Sequence, residues 1–139
     1  GEVVTQFKSG DIWVAMAHAG WALRSAKAGA SVKTVPPRIG NKEGLIKEGY
    51  IGVVKGSRNQ AAAEFFINTY LSANGQYQFA LQTAAVPVIP DARIKMVGEP
   101  LMRELLVLDG GKIATMTRLN PAKIDLSRWN DEWNRTVVK

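Results

Sequence analysis

The apolar positions of this chain fall in short blocks that switch between strand-like and helix-like spacing. "DIWVAMA" (11–17) is a compact β-prone run behind the turn signal Ser9-Gly10, and it predicts a strand. "GWALRSAKAG" (20–29) changes period, with Trp21, Leu23, Ala26 and Ala28 as apolar members and Arg24 and Lys27 as polar ones. That block predicts a helix, and Gly29 stands where a left-handed residue would end it. "SVKTV" (31–35) alternates with a period of two and predicts a second strand. Pro36-Pro37 stops it, because proline has no N–H to give a ladder. Strand, helix and strand in succession predict a βαβ unit with a right-handed crossover.

The pattern continues with a glycine-bearing loop, "RIGNKEGLIKEG" (38–49), and a third strand, "YIGVVKG" (50–56). In 57–85, Ala62, Phe65, Phe66 and Tyr70 keep helical spacing behind Ser57 or Asn59 as N-cap, and Asn74-Gly75 is placed to close that helix. A second helix is predicted from about Gln76 to Leu81. "AVPVIPDARIKM" reads as an extended segment punctuated by proline. Around Asp109-Gly110 the β-prone runs predict a hairpin, although "PLMREL" offers a helix that would absorb the first of them. "DLSRWNDEWNRTVVK" closes the chain as an amphipathic helix whose Trp129 and Trp133, four apart, are expected to dock it on its lobe. The sum is an α/β pattern.

Composition narrows the function. The chain has 139 residues, which is one domain or part of one, and its apolar share of 46% is ordinary for a folded protein. The formal charge of +6 raises the question of nucleic acid, but the basic residues are scattered and no aromatics are interleaved as stacking platforms. No nucleic-acid partner is expected. There is no cysteine and one histidine, so thiolate zinc sites, cysteine nucleophiles, disulfides and multi-histidine metal sites are excluded, and no metal or cofactor is expected. "GEVVTQFKSG" has neither the basic nor the apolar region of a signal peptide. No G-x-S-x-G or G-x-G-x-x-G is present, and Asp131 and Glu132, being adjacent, face different sides of a helix. The expectation is a protein that is not an enzyme.

The order of these pieces resembles a family. Ser9-Gly10-Asp11, Gly20, Ala28-Gly29, Pro37, Gly40, Arg58-Asn59, Ala62, Phe65 to Asn68 and Pro87 follow one another as in the carboxyl-terminal half of ABC-transporter solute-binding proteins of the spermidine/putrescine type. The similarity covers roughly residues 5 to 95. It implies part of a two-lobed type II periplasmic-binding-protein fold, mixed sheets flanked by helices, that closes over a solute by hinge motion. Residues 1–49 would end the second lobe with its βαβ unit and approach the hinge, and residues 50–139 would contribute to lobes and hinge. The amino-terminal half of the parent protein would then be absent, leaving apolar faces that favour dimerisation or swapping. The implied partners are a small-molecule solute and an ABC permease in the inner membrane, and the implied place is the periplasm.

The same comparison selects site residues. In polyamine receptors a "W-x-G" turn lays a tryptophan against the ligand. Counting back from Gly20, His18 takes the tryptophan's place, and Trp21 is positioned to assume the aromatic role. An acidic residue precedes the next strand in those receptors, to pair with an ammonium; here that position is Gly49, with Glu48 beside it. Arg38 and Lys47 nearby favour a carboxylate or phosphate. The expected ligand-binding residues are His18, Gly20, Trp21, Arg38, Glu48 and Tyr50. The expected solute is amine-bearing, either a polyamine or an ω-amino acid such as 4-aminobutyrate. A sensor or chemoreceptor on the same fold, or a receptor for a sugar phosphate, phosphonate or iron, stands as the alternative.

Overall fold

A computed structural model describes residues 2–137. The chain is mixed α/β, with eight α-helices and four two-residue strands among the described residues. Helices carry the packing, and the strands are small clasps between loops.

The central helix is the one that the sequence marks most clearly. After α1 (Glu2–Ser9), which no sequence feature announced, α2 runs over Ala19–Lys27. Its end is closed on both sides of Gly29: the Gly29 N–H donates to Ala26 O at 3.0 Å and the Ala30 N–H to Ser25 O at 3.0 Å. Gly29 itself has φ +91°, a value that a Cβ would strain. Gly20 serves a different purpose, since a Cβ there would sit 2.7 Å from the Thr83 carbonyl oxygen. The missing side chain lets α2 lie against the end of a later helix.

That later helix belongs to a pair, α3 (Gln60–Tyr70) and α4 (Ala73–Thr83). Asn74-Gly75 does not terminate α3 as expected; it lies in the first turn of α4. Ser72 is the reason, because its Oγ accepts the Gly75 N–H at 3.0 Å and so caps α4 two residues earlier. Gly75 is required there by contact, with Thr69 O only 2.2 Å from where a Cβ would stand. Buried Gln76 fixes the corner: its Nε2 donates to Tyr70 O at 3.2 Å, and its Oε1 accepts the Val88 N–H at 3.2 Å.

The proline-punctuated segment also departs from expectation. Pro90 does not extend the chain but opens α5 (Pro90–Val97), and Pro100 opens α6 (Pro100–Leu105), both in the first turn where proline's missing N–H is no loss. The helical option for "PLMREL" therefore prevails. Asp109-Gly110 is not a hairpin turn either: the Asp109 carboxylate accepts the Lys112 N–H at 2.7 Å and caps α7 (Gly110–Thr115). The core sits between α2, α4, α5 and α6, where Leu23, Ala80, Ala84, Met96, Met102, Leu105 and Leu106 are buried together.

The expected strands are where the structure differs most. Residues 11–17, 31–35 and 50–56 belong to no strand, so the βαβ unit does not form in this chain. An isolated extended segment leaves every ladder N–H and C=O without a protein partner, and no neighbouring strand is at hand to take them. Burial still alternates along 31–36, with Val32, Thr34 and Pro36 half-buried and Ser31, Lys33 and Val35 exposed. Thr34 Oγ1 donates to Leu105 O at 2.7 Å, which ties this segment to the core edge. The loop at 38–49 instead supplies the strands: β1 (Arg38–Ile39) pairs antiparallel with β2 (Lys42–Glu43), and β3 (Leu45–Ile46) pairs parallel with β4 (Thr117–Arg118). A 3-10 turn (Pro121–Lys123) then leads to α8 (Leu126–Thr136). The expected docking of α8 by its tryptophans is not seen, since Trp129 and Trp133 are exposed; residues 138 and 139 of the expected helix lie outside the described residues.

Candidate functional site

One polar cluster joins residues far apart in sequence, and it grows from the parallel β3–β4 clasp. Gly44, buried with φ +101°, starts it, because a Cβ there would collide with the Met116 side chain at 2.7 Å. The Thr117 N–H donates to Gly44 O at 3.0 Å, and the Leu119 N–H donates to Ile46 O at 2.9 Å. This register sets Arg118 opposite Ile46. Glu48 lies two residues beyond Ile46, and Tyr50 two beyond that. Alternate residues of an extended chain face the same way, so the three positions present one side.

The contacts follow from that placement. Arg118 Nη1 donates to Glu48 Oε1 in an ion pair, and the Tyr50 hydroxyl donates to the other carboxylate oxygen, Oε2, at 2.7 Å. Both charged side chains remain open to solvent, 53% exposed for Arg118 and 42% for Glu48. The Tyr50 hydrogen bond, and then the Arg118 guanidinium, hold the Glu48 carboxyl below its ordinary pKa. The same hydrogen bond to Glu48 raises the Tyr50 phenol above its own. At neutral pH the cluster is one carboxylate, one guanidinium and one neutral phenol, a set suited to recognising charged groups.

The remaining expected residues stand elsewhere. His18 is exposed, in extended conformation, at the N-cap of α2, and its side chain makes no capping bond. Trp21 is half-buried on α2, and the Arg24 guanidinium lies 5.1 Å from its ring centroid, a cation–π contact. Gly20 makes the close approach to Thr83 described above. Arg38 is exposed in β1, in register with Glu43. Among the described residues, no hydrogen bond or ion pair joins His18, Trp21 or Arg38 to the Glu48 cluster. The structure thus joins Glu48 and Tyr50 and adds Arg118, which sequence reasoning missed. No local signal marks Arg118, since 70 positions separate it from its partner.

Among the described residues, two shallow depressions lie elsewhere on the surface. One, of about 360 Å³, lies between α5 and the start of α7 and is lined by Arg93, Ile94, Val97 and Asp109 among others. Arg93 is already committed there, its Nη1 donating to Pro87 O at 2.9 Å and Val88 O at 3.1 Å. The other, of about 390 Å³, runs along α8 between Trp129 and Trp133. Among the described residues, no group of three histidine, cysteine or acidic side chains is placed to hold a metal ion, and no helix is long and apolar enough to cross a membrane. The chain matches no family model, and no curated protein matches it.

Proposed function

We propose that this chain is the carboxyl-terminal part of a periplasmic solute-binding receptor that serves an ABC uptake transporter and captures a small amine-bearing solute in a cleft between two lobes. The observation that carries this reading is the state of the apolar segments 11–17, 31–35 and 50–56. They are β-prone and flank the core helices in the order that resembles the receptor family, yet they have no ladder. Trp13 is 90% exposed, Val14 88%, Met16 104%, Val35 85% and Val54 79%. Segments of this kind are what sheet strands become when their neighbours lie on another stretch of chain, and burying them against such strands removes the exposed apolar surface. In a two-lobed receptor the neighbours come from the amino-terminal half. The Glu48 cluster at the start of the third segment supports a solute that carries charge.

Thermal-shift and calorimetric measurements on the full-length protein that carries this chain, with putrescine, spermidine, 4-aminobutyrate and basic amino acids, test the reading. Saturable binding of one amine-bearing solute, with a rise in melting temperature, is the expected result. Silence across the whole panel would overturn the choice of solute. A full-length protein in which the apolar segments stay unpaired would overturn the receptor itself.

A further inference from the structure

Basic residues run the length of the chain, but the acidic residues that would balance them do not. Residues 24–58 hold eight Lys or Arg and two acidic residues, so the formal +6 of the chain resides in this stretch; outside it the two signs cancel, ten against ten. The core lies elsewhere, since between 33 and 58 Gly44 is the one buried residue. Among the described residues, Lys33, Arg38, Lys42, Lys47, Lys55 and Arg58 make no side-chain hydrogen bond and no ion pair. Of the two acids, Glu48 is already held by Arg118. We infer that this stretch docks the protein on an anionic phospholipid surface, with the loop 37–49 that carries the β1–β2 clasp as the point of contact.

The loop is tied at both ends. The Gly44 N–H donates to Pro37 O at 2.7 Å across the base of the clasp, and the β3–β4 pairing fixes the chain that follows at Thr117 and Arg118. Its register sets Ile39 opposite Lys42, which places an apolar side chain and a cation on one face. Ile39 is 40% exposed and Leu45 48%. A membrane surface takes up both kinds of group at once: its anionic headgroups attract each Lys or Arg within a Debye length, and the boundary below them accepts the apolar side chains. Nucleic acid fits this stretch less well. Tyr50 is the one aromatic residue in 24–58, so successive bases would find no row of platforms to stack on. The loop lies outside 31–35 and 50–56 and stays exposed when those segments pair, so the docking does not depend on the receptor reading.

Co-sedimentation of this chain with vesicles reads the docking as a partition coefficient. The chain is expected to bind vesicles of phosphatidylglycerol and phosphatidylcholine in equal parts, to release them as salt rises, and to ignore pure phosphatidylcholine. Two triple variants remove the same charge from different places. Arg38→Gln/Lys42→Gln/Lys47→Gln strips the loop, and Lys8→Gln/Lys112→Gln/Lys123→Gln strips exposed lysines outside 24–58. The first should lower the partition coefficient roughly a hundredfold, about fivefold per charge, and the second by less than about fivefold in total. Where circular dichroism shows the first triple misfolded, Lys42→Gln alone should give the fivefold loss. Equal losses in the two triples, equal binding to both kinds of vesicle, or binding to neither overturns the docking. Tighter binding to duplex DNA than to the anionic vesicles also overturns it and assigns the stretch to nucleic acid. All of these outcomes leave solute binding, and with it the receptor reading, untouched.

Discussion

The helices around Met96 and the apolar segments around Trp13 have similar side chains and opposite fates. Met96 is fully buried and Leu23 is 1% exposed, whereas Trp13 is 90% exposed and Met16 fully so. Hydrophobicity does not separate them. The difference lies in where each backbone finds its hydrogen bonds. A helix takes its own from four residues away, so α2, α4, α5 and α6 satisfy their backbones within themselves and are free to bury a face against one another. A strand borrows its bonds from a neighbour, and no neighbouring strand exists for 11–17 or 50–56 within the described residues. The apolar side chains of those segments are stranded with their backbone.

Amide hydrogen exchange exposes this comparison most strongly. In this chain the amides of α2, α4 and α5 should exchange on the order of a thousandfold more slowly than those of 13–17 and 50–56, because core helices open only with the whole fold and unpaired segments are always open. In the longer receptor proposed above, the apolar segments should join the slow class. Fast exchange there in both settings would break the link between these segments and a sheet.

Side-chain truncation gives the next largest contrast. Leu23→Ala removes a buried side chain from the contact of α2 with the core and should cost about 2–5 kcal/mol in urea unfolding of this chain. Trp13→Ala removes more apolar surface, yet its ring touches the fold mainly through an Nε1 hydrogen bond to Gly10 O at 3.2 Å, and its cost should stay within about 0.5 kcal/mol. The comparison sharpens if Trp13→Ala becomes costly only in the longer receptor proposed above. Equal costs in this chain would show that 11–17 is packed here after all.

The same divide explains what the sequence made legible. The end of α2 was readable because Gly29 is a local device: its own N–H reaches the carbonyl three positions back, and the turn it makes brings the Ala30 N–H to the carbonyl five back from Ala30. The α/β character was readable, and so were α3, α8 and the helical option at 100–105. The start of α4 was not: Asn74-Gly75 carries a strong turn signal, and only the Ser72 cap and the close approach of Thr69 O reveal why a helix passes through it. Pro90 and Asp109 misled in the same way, since proline and a following glycine signal turns and helix starts alike. Of the candidate site, Glu48 was named by counting along the family resemblance and Tyr50 as the start of an expected strand at 50–56 that does not form. Arg118 was hidden, because a parallel pairing across 70 residues leaves no trace in local spacing.

The smallest effect bears on the cluster itself, the one place where an apolar segment begins with fixed polar partners. The Glu48 carboxyl is lowered by the Tyr50 hydrogen bond and by Arg118, so the folded state prefers its ionised form. The sign follows from that direction: the contribution is present above the ordinary carboxyl range and is lost as pH falls through the lowered value. Carboxyl-carbon NMR on this chain should place the Glu48 midpoint below the ordinary glutamate value, and Tyr50→Phe or Arg118→Gln should each raise it. The shift should shrink with added salt in the unaltered chain, and shrink less in Arg118→Gln, where the neutral Tyr50 hydrogen bond is all that remains. If salt abolishes the shift in both, Tyr50 does not hold Glu48, and the start of 50–56 is as loose as the rest of that segment.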